Sequence, residues 1–204
     1  MPRITKDPEV RRNELMDVAE QLFAEKGYDR TSPSDIIRKS GVAQGTFYYY
    51  FKSRDDLIRA IIARYLARYN DYVARVAADP GLNAPEKVRK IMGELWDLSV
   101  RKARLKEQIC EEPDISGHKD YRQHVREHIL PLMQQVIRQG VEEGSFKVEF
   151  PEEAAEHVVV ISKHLHEELK REDDPAVRAR KIEATWSAME KLLGARKGTF
   201  RLRR

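Results

Sequence analysis

Apolar residues recur along this chain at spacings of three and four, which is the period of an amphipathic helix. The first such stripe consists of Leu15, Val18, Ala19, Leu22 and Phe23. It follows Asp7-Pro8, an N-cap residue with a proline at the first helical position, and it stops at Gly27, a residue type favoured just past a helix end. The pattern predicts a helix between these signals.

Two short helices and a long one are predicted next. Ser32-Pro33-Ser34-Asp35 is close to a capping box, and the helix that it starts reaches Ser40 before Gly41 stops it. Gln44 opens another short helix only three residues later. Ser53 then caps a long helix that runs toward Asp79.

Beyond Pro80-Gly81 the helical pattern resumes, with no alternating stretch that predicts a strand. Helices are expected after Asn83, from Tyr121 to Val136, from Pro151 and from Asp174-Pro175. Pro131 is expected to kink or split the second of these. The C-terminal segment from Lys197 to Arg204 is expected to be a disordered, solvated end, with a phosphate contact as the alternative.

Composition excludes several classes of protein. The 204 residues suffice for one large or two small domains, and Cys110 is the only cysteine, so an internal disulfide or a multi-cysteine metal site is impossible. No apolar run approaches the roughly 18 residues that a membrane span needs. The N-terminus lacks the apolar core of a secretory signal. A cytoplasmic protein with no membrane partner is the simplest expectation.

Positive charge is concentrated rather than large. The formal net charge is only +4, but residues 30–54 carry five Lys or Arg side chains against Asp35 alone. The last fourteen residues are also basic. This placement favours an anionic partner for the segment around residues 30–54.

Residues 47–51 are all aromatic, in a chain that is only 8% aromatic. At about 100° per residue, Phe47, Tyr50 and Phe51 share one helix face, and Gly45, Tyr48, Tyr49 and Lys52 share the other. The first face can be buried in a core. The second would present two phenols, an ammonium group and bare backbone to another molecule.

Two short helices joined by a three-residue turn with a glycine form a helix-turn-helix, whose second helix enters the DNA major groove. Gly45 would let that helix approach DNA closely. Thr46, Tyr48 and Tyr49 can reach phosphates or base edges, and Gln44 is the candidate for a bidentate contact with adenine. Lys52 and Arg54 suit phosphates. Thr31 and Ser32 stand at a helix N-terminus, which favours an anion.

The stretch AEQLFAEKGYDRTSPSDIIRKSGVAQGTFYYYFKSRDDL resembles the tetracycline-repressor (TetR) family of bacterial regulators. The resemblance implies an all-α fold of about nine helices, with a DNA-binding domain at residues 1–53 and an effector-binding and dimerisation domain at 54–204. It places Gln44, Thr46, Tyr48 and Tyr49 at operator-contact positions. It places Thr31, Lys52 and Arg54 at backbone-contact positions. Ala43 departs from the family pattern, since many members carry Ser there.

The same resemblance implies a homodimer that represses transcription from a palindromic operator and is released by a small-molecule effector. The dimer would form through the last two long helices, at 151–171 and 175–194. Tyr69, Met92 and Trp96 are candidate effector-pocket residues, although ordinary core packing explains them equally well. The effector, the operator and the regulated genes are not encoded in any motif.

Four other hypotheses remain to be weighed. His124 and His128, four residues apart, could bind a metal with His118, His157 or His164, but the pattern favours surface or hydrogen-bonded histidines and predicts no metal or cofactor. Cys110 lies before Glu111 and Glu112, which disfavour a reactive thiolate. A nucleoid-associated regulator of cell division on the same fold is the alternative function. An enzyme ranks last, because no catalytic constellation appears.

Overall fold

Helices account for all the regular structure in residues 7–101 and 123–201, which are the residues that the computed structural model describes. The described residues form no strand, and the predicted all-α fold is confirmed. The eight α-helices in these ranges are α1 Pro8–Lys26, α2 Pro33–Ser40, α3 Gln44–Tyr50, α4 Arg54–Ala78, α5 Ala84–Arg101, α6 Leu130–Glu142, α7 Pro151–Arg171 and α8 Pro175–Leu192. None of them combines the length and apolar character that a membrane crossing requires.

The helix boundaries follow the capping signals of the sequence. Asp7 Oδ1 accepts a 2.7 Å hydrogen bond from the Glu9 amide at the start of α1. Gly27, with φ 88°, ends that helix, and Gly41, with φ 66°, ends α2. A positive φ is costly for any residue with a Cβ, so these glycines set sharp stops for the helices before them.

The chain forms two compact units, and the first contains residues 7–67 among those described. Apolar side chains from α1, α2, α3 and the first part of α4 form its core. A polar cluster also links α4 to α1: Arg64 Nη2 lies 2.6 Å from Glu20 Oε1 and 2.8 Å from Asp17 Oδ1, and Tyr65 Oη donates to Glu20 Oε2 at 2.6 Å. These contacts pair charges that would otherwise be costly to bury.

The second unit contains residues 68–101 and 123–201 among those described. Its apolar core is formed mainly by α5, α6 and α7, with the end of α4 and one face of α8. Lys87 is buried in it, and its ammonium group donates to the Ala77 carbonyl at 2.6 Å and to Gln139 Oε1 at 2.8 Å. The predicted domains, 1–53 and 54–204, divide the chain by function. The two compact units divide it by packing, so they do not test that prediction.

Pro131 is expected to kink or split its helix, and the helix type changes just before it while the chain stays helical on both sides. Residues Val125–Ile129 form a π-helical segment, with the Leu130 amide donating to the Val125 carbonyl, and α6 then begins with Pro131 in its first turn. A proline cannot supply an amide hydrogen, so a position at a helix start is tolerated. The wider π-helical turn before Pro131 keeps the preceding backbone groups hydrogen-bonded.

The expectation of a solvated C-terminal end is wrong for the described part of that segment. Phe200 is buried, and its amide donates to Glu190 Oε1 at 3.2 Å. Gly194, with φ 57°, turns the chain back after α8, and the Lys147 amide donates to the Leu193 carbonyl at 2.8 Å. Hydrophobic burial of Phe200 therefore outweighs the basic composition around it.

Candidate nucleic-acid interface

Helix α3 separates its aromatic residues between core and solvent. Phe47 and Phe51 are buried, whereas Tyr49 is 79% exposed and Tyr48 46% exposed. Tyr50 lies partly buried between the two sets. The burial therefore follows the faces that helical periodicity predicts, and the exposed face is polar, aromatic and unoccupied by other described residues.

Aromatic contacts hold this short helix in place. The rings of Phe47 and Phe51 lie 5.9 Å apart in a tilted arrangement, and the Tyr49 and Tyr50 rings meet edge to face at 4.9 Å. Such pairs add stabilisation beyond simple burial. A helix of seven residues is too short to be stable alone, so the burial of Phe47 and Phe51 in the core of the first unit gives the exposed face a defined orientation.

The start of α3 is open to the outside. Gln44 and Gly45 are exposed, and Ala43 provides no side-chain cap, as the departure from the family pattern predicted. A Cβ added at Gly45 would meet no atom within 4 Å, and Gly45 has no positive φ. The protein itself therefore does not require glycine here, and a close approach of DNA at Gly45 stays a prediction. Thr46 is partly buried on the following turn.

Thr31 is buried, although the resemblance places it at a backbone-contact position. Its hydroxyl donates to the Gly27 carbonyl at 2.7 Å, and its amide donates to the Tyr28 carbonyl at 2.9 Å. Both groups stabilise the turn between α1 and α2. Thr31 is therefore left out of the proposed contact surface.

Ser32 is exposed, but its polar groups are engaged. The Ser32 hydroxyl and amide both bond to Asp35 Oδ2, at 2.8 and 3.0 Å, and the Asp35 amide donates back to Ser32 Oγ at 3.2 Å. Asp35 also pairs with Lys26 at 2.6 Å and with Arg38 at 2.8 Å. The bond from Lys26, followed by those from Ser32, holds the pKa of Asp35 well below its ordinary value. A carboxylate therefore already occupies the N-terminus of α2.

The side chains of Lys52 and Arg54 differ in their exposure and in their contacts. Lys52 is exposed, and its ammonium group forms no ion pair with the described residues. The Arg54 side chain is partly buried, with its guanidinium carbon 3.9 Å from the centroid of the Tyr28 ring. Only Lys52 fully keeps the exposure that a phosphate contact needs.

One cation beside α3 was not among the predicted residues. The exposed Arg12 places its guanidinium 5.4 Å from the centroid of the Phe51 ring. It adds positive charge next to the end of α3. The adjacent Arg11-Arg12 pair was the signal in the sequence, but only the packing of α1 brings Arg12 to this position.

The candidate effector residues lie in the core of the second unit. Met92 and Trp96 are buried, and the indole Nε1 of Trp96 donates to the Ser162 carbonyl at 3.3 Å. Tyr69 Oη donates to the Ile91 carbonyl at 3.2 Å. Core packing accounts for all three, and an effector contact stays a prediction.

The histidines do not converge on a metal site in the described part of the chain. His124 and His128 have ring centroids 4.8 Å apart, and His124 Nε2 lies 3.0 Å from Asn70 Oδ1. Burial, and then the charge of His128, lower the pKa of His124. No group of three or more metal-binding side chains occurs among the described residues. Cys110 and His118 lie outside them.

Comparisons with known proteins agree with the helix-turn-helix assignment. Residues 15–61 match the sequence profile described as bacterial regulatory proteins, tetR family. The uncharacterized HTH-type transcriptional regulator YvdT of Bacillus subtilis is 44% identical over 59 residues, which cover 29% of this chain and 30% of YvdT. The likeness to YvdT thus spans under a third of that protein.

Two further likenesses extend through most of the chain. The HTH-type transcriptional repressor KstR2 of Mycobacterium tuberculosis is 27% identical over 158 residues, or 72% of this chain and 74% of KstR2. The crystal structure of a TetR/AcrR-family transcriptional regulator from Thermobifida fusca is 26% identical, with a TM-score of 0.69 over 96% of this chain and 100% of that one. The fold beyond the first unit is therefore also similar to that of such regulators.

Proposed function

We propose that the chain is a member of the tetR family of bacterial regulatory proteins and that it is a sequence-specific DNA-binding repressor of transcription. The observation that carries the proposal is the division of α3 between a buried aromatic face and an exposed face of Gln44, Gly45, Tyr48 and Tyr49. A helix so fixed can enter a major groove without rearrangement.

Contacts with bases and with phosphates are assigned to different residues. Gln44 can read adenine through its amide, and Tyr48 and Tyr49 can cover thymine methyl groups or bond to base edges. Lys52 and Arg12 supply charge that suits the sugar-phosphate backbone. Thr46 is a further candidate where α3 enters the groove. We propose no catalytic residue, cofactor or metal, and we place the protein in the cytoplasm, where bacterial DNA lies.

The proposed functional unit is a homodimer formed through α7 and α8. In α8 only Met189 and Glu190 are buried and three apolar side chains pack partly buried against the core, which leaves the rest of its surface for a partner. It exposes small side chains at Ala176, Ala184 and Ala188, and α7 exposes Val160 at 64%. Small and apolar residues permit close helix packing, and a stable dimer interface of this kind buries about 2,000 Å² or more.

Oligomeric state can be measured directly. Sedimentation should show a dimer for the wild-type protein and a monomer for Val160→Glu combined with Ala184→Arg. Val10→Glu is the matched control, because Val10 is also half-exposed but lies on α1. A monomeric wild type would contradict the proposed assembly.

The dimer would have conformations that differ in the separation of its two DNA-binding units. A small-molecule effector would act by binding one of these conformations more tightly than another. This part of the proposal rests on the family alone. If every small molecule that binds the purified protein left its operator affinity unchanged, the proposed release would be wrong.

Selection of fragmented genomic DNA by the purified protein, at low and at near-physiological salt, tests the whole proposal. The expected result is a small set of loci that share an inverted repeat, with half-sites a whole number of helical turns apart, and that persist at the higher salt. Broad enrichment that disappears with salt would indicate backbone attraction only. That outcome would favour the nucleoid-associated alternative over a specific repressor.

A further inference from the structure

Arg54 is the first residue of α4, and the resemblance assigns it to a phosphate contact. Its guanidinium instead lies over the Tyr28 ring, with the guanidinium carbon 3.9 Å from the ring centroid, and Nη1 donates to the Tyr28 carbonyl at 3.5 Å. Tyr28 is only 3% exposed, and its ring meets Phe23 edge to face at 5.5 Å. Arg54 therefore packs on a buried residue of the first unit's core.

The next residue of α4 holds the same tyrosine. Tyr28 Oη donates to Asp55 Oδ1 at 3.3 Å, so Arg54 covers the ring while Asp55 accepts from its hydroxyl. Burial raises the pKa of Tyr28, which keeps that hydroxyl protonated. Both contacts join the start of α4 to the turn between α1 and α2.

The start of α4 in turn determines where α3 ends. Only residues 51–53 connect the two helices, and Phe51 is buried. The Lys52 amide donates to Asp56 Oδ2 at 2.9 Å, and the Asp56 amide donates to Ser53 Oγ at 3.1 Å, so this connection is tightly bonded. A shift of α4 relative to Tyr28 would consequently move the exposed face of α3.

We propose that Arg54 is a positioning residue, whose guanidinium holds the start of α4 on Tyr28 and thereby orients α3 for the major groove, and that it does not neutralise a phosphate. The planar guanidinium suits this role because it can stack on a ring, whereas an ammonium group cannot stack in the same way. Lys52, exposed and without an ion pair in the described residues, supplies the phosphate contact. The inference rests on the proposed DNA-binding function.

The test compares Arg54→Met, Arg54→Lys and Lys52→Met on two DNA duplexes of equal length. One duplex carries an operator recovered by genomic selection with the wild-type protein, and the other carries an unrelated sequence. Affinity for each is measured over a series of salt concentrations, after active protein has been counted by stoichiometric titration. Circular dichroism checks that each variant is folded.

A phosphate contact and a positioning contact give different results. Lys52→Met should weaken binding to both duplexes and reduce the slope of log K against log salt by about 0.9. Arg54→Met should leave that slope unchanged and weaken operator binding about tenfold, with much less effect on the unrelated duplex. Arg54→Lys should resemble Arg54→Met, because charge without a planar face does not restore the stacking.

Tyr28 provides an independent test that changes no cation. Tyr28→Leu should lose operator selectivity as Arg54→Met does, whereas Tyr28→Phe should keep most of the wild-type selectivity. The double variant Tyr28→Leu with Arg54→Met should bind the operator no more weakly than either single variant. This series still decides the question if one Arg54 variant does not fold.

Two outcomes separate the inference from the proposed function. A slope reduced in Arg54→Met as much as in Lys52→Met, and rescued in Arg54→Lys, would overturn the positioning role alone. A wild-type protein that does not distinguish the two duplexes would overturn the proposed function, and the inference with it.

Discussion

Phe200 stacks on Trp186, with ring centroids 5.1 Å apart and ring planes inclined by 27°. Trp186 in turn lies 4.4 Å from Trp96, and Phe200 lies 6.3 Å from Phe146. A residue near the C-terminus thus completes an aromatic cluster that joins α5, α8 and the loop before α7.

Phe200→Ala is expected to lower the free energy of unfolding of the second unit by about 3–5 kcal/mol, because it removes a fully buried ring and leaves a cavity. Both tryptophans of the chain lie in this unit, so urea unfolding followed by tryptophan fluorescence reports on it directly. Phe150→Ala is the matched control, since Phe150 is 61% exposed and should change stability by less than about 0.5 kcal/mol. Equal effects would contradict the burial of Phe200.

Arg64→Met is expected to destabilise the first unit by about 1–3 kcal/mol. The Arg64 side chain is only 11% exposed, and its removal leaves Glu20 and Asp17 without their cation. Arg138→Met is the control, because the Arg138–Glu152 pair is about half exposed on both sides and solvent screening should make its contribution to stability small. Since the first unit has no tryptophan, amide hydrogen exchange in α1 should be measured. Unchanged exchange in Arg64→Met would show that apolar packing alone holds the two helices.

Acid should weaken α2 through Asp35. Its pKa is lower in the folded protein than the ordinary 3.8, so its contribution to stability is fully present above that value and is lost as the pH falls toward the folded-state pKa. Asp35→Asn should remove this part of the acid dependence, giving a shallower decline below about pH 4. Amide exchange or circular dichroism of wild type, Asp35→Asn and the control Asp29→Asn between neutral and acidic pH would measure it. An identical decline in all three would contradict the role of Asp35.

Tyr49→Ala is expected to weaken operator binding by about 1–3 kcal/mol without affecting the fold, because Tyr49 is 79% exposed. Its ring rests on Tyr50 but contributes little to the core. Phe150→Ala removes an exposed ring from the second unit and should leave binding unchanged. Gel-shift or fluorescence-anisotropy titrations on the selected operator give the comparison. Full affinity in Tyr49→Ala would mean that another face of the first unit meets the DNA.

Local signals predicted the helices well. Asp7-Pro8 and Ser32 with Asp35 mark helix starts in the structure as they do in the sequence, because capping depends on residues only two or three positions apart. Gln44 also begins its helix as predicted, although no side chain caps that helix. The buried and exposed faces of α3 also follow from periodicity alone. Family resemblance, rather than physical pattern, supplied the expectation of a dimer and an effector.

Tertiary structure decided which of the predicted contact residues remain available. Sequence determined that Thr31, Lys52 and Arg54 stand beside a helix-turn-helix and carry suitable groups. Only packing placed Thr31 in the core and Arg54 on Tyr28, while it left Lys52 exposed. The basic segment around Phe200 shows the same limit, since its composition predicts solvation and its one aromatic ring finds a buried site. Helix periodicity and capping are properties of neighbouring residues, whereas burial of a side chain depends on residues that are distant in the chain and become neighbours only on folding.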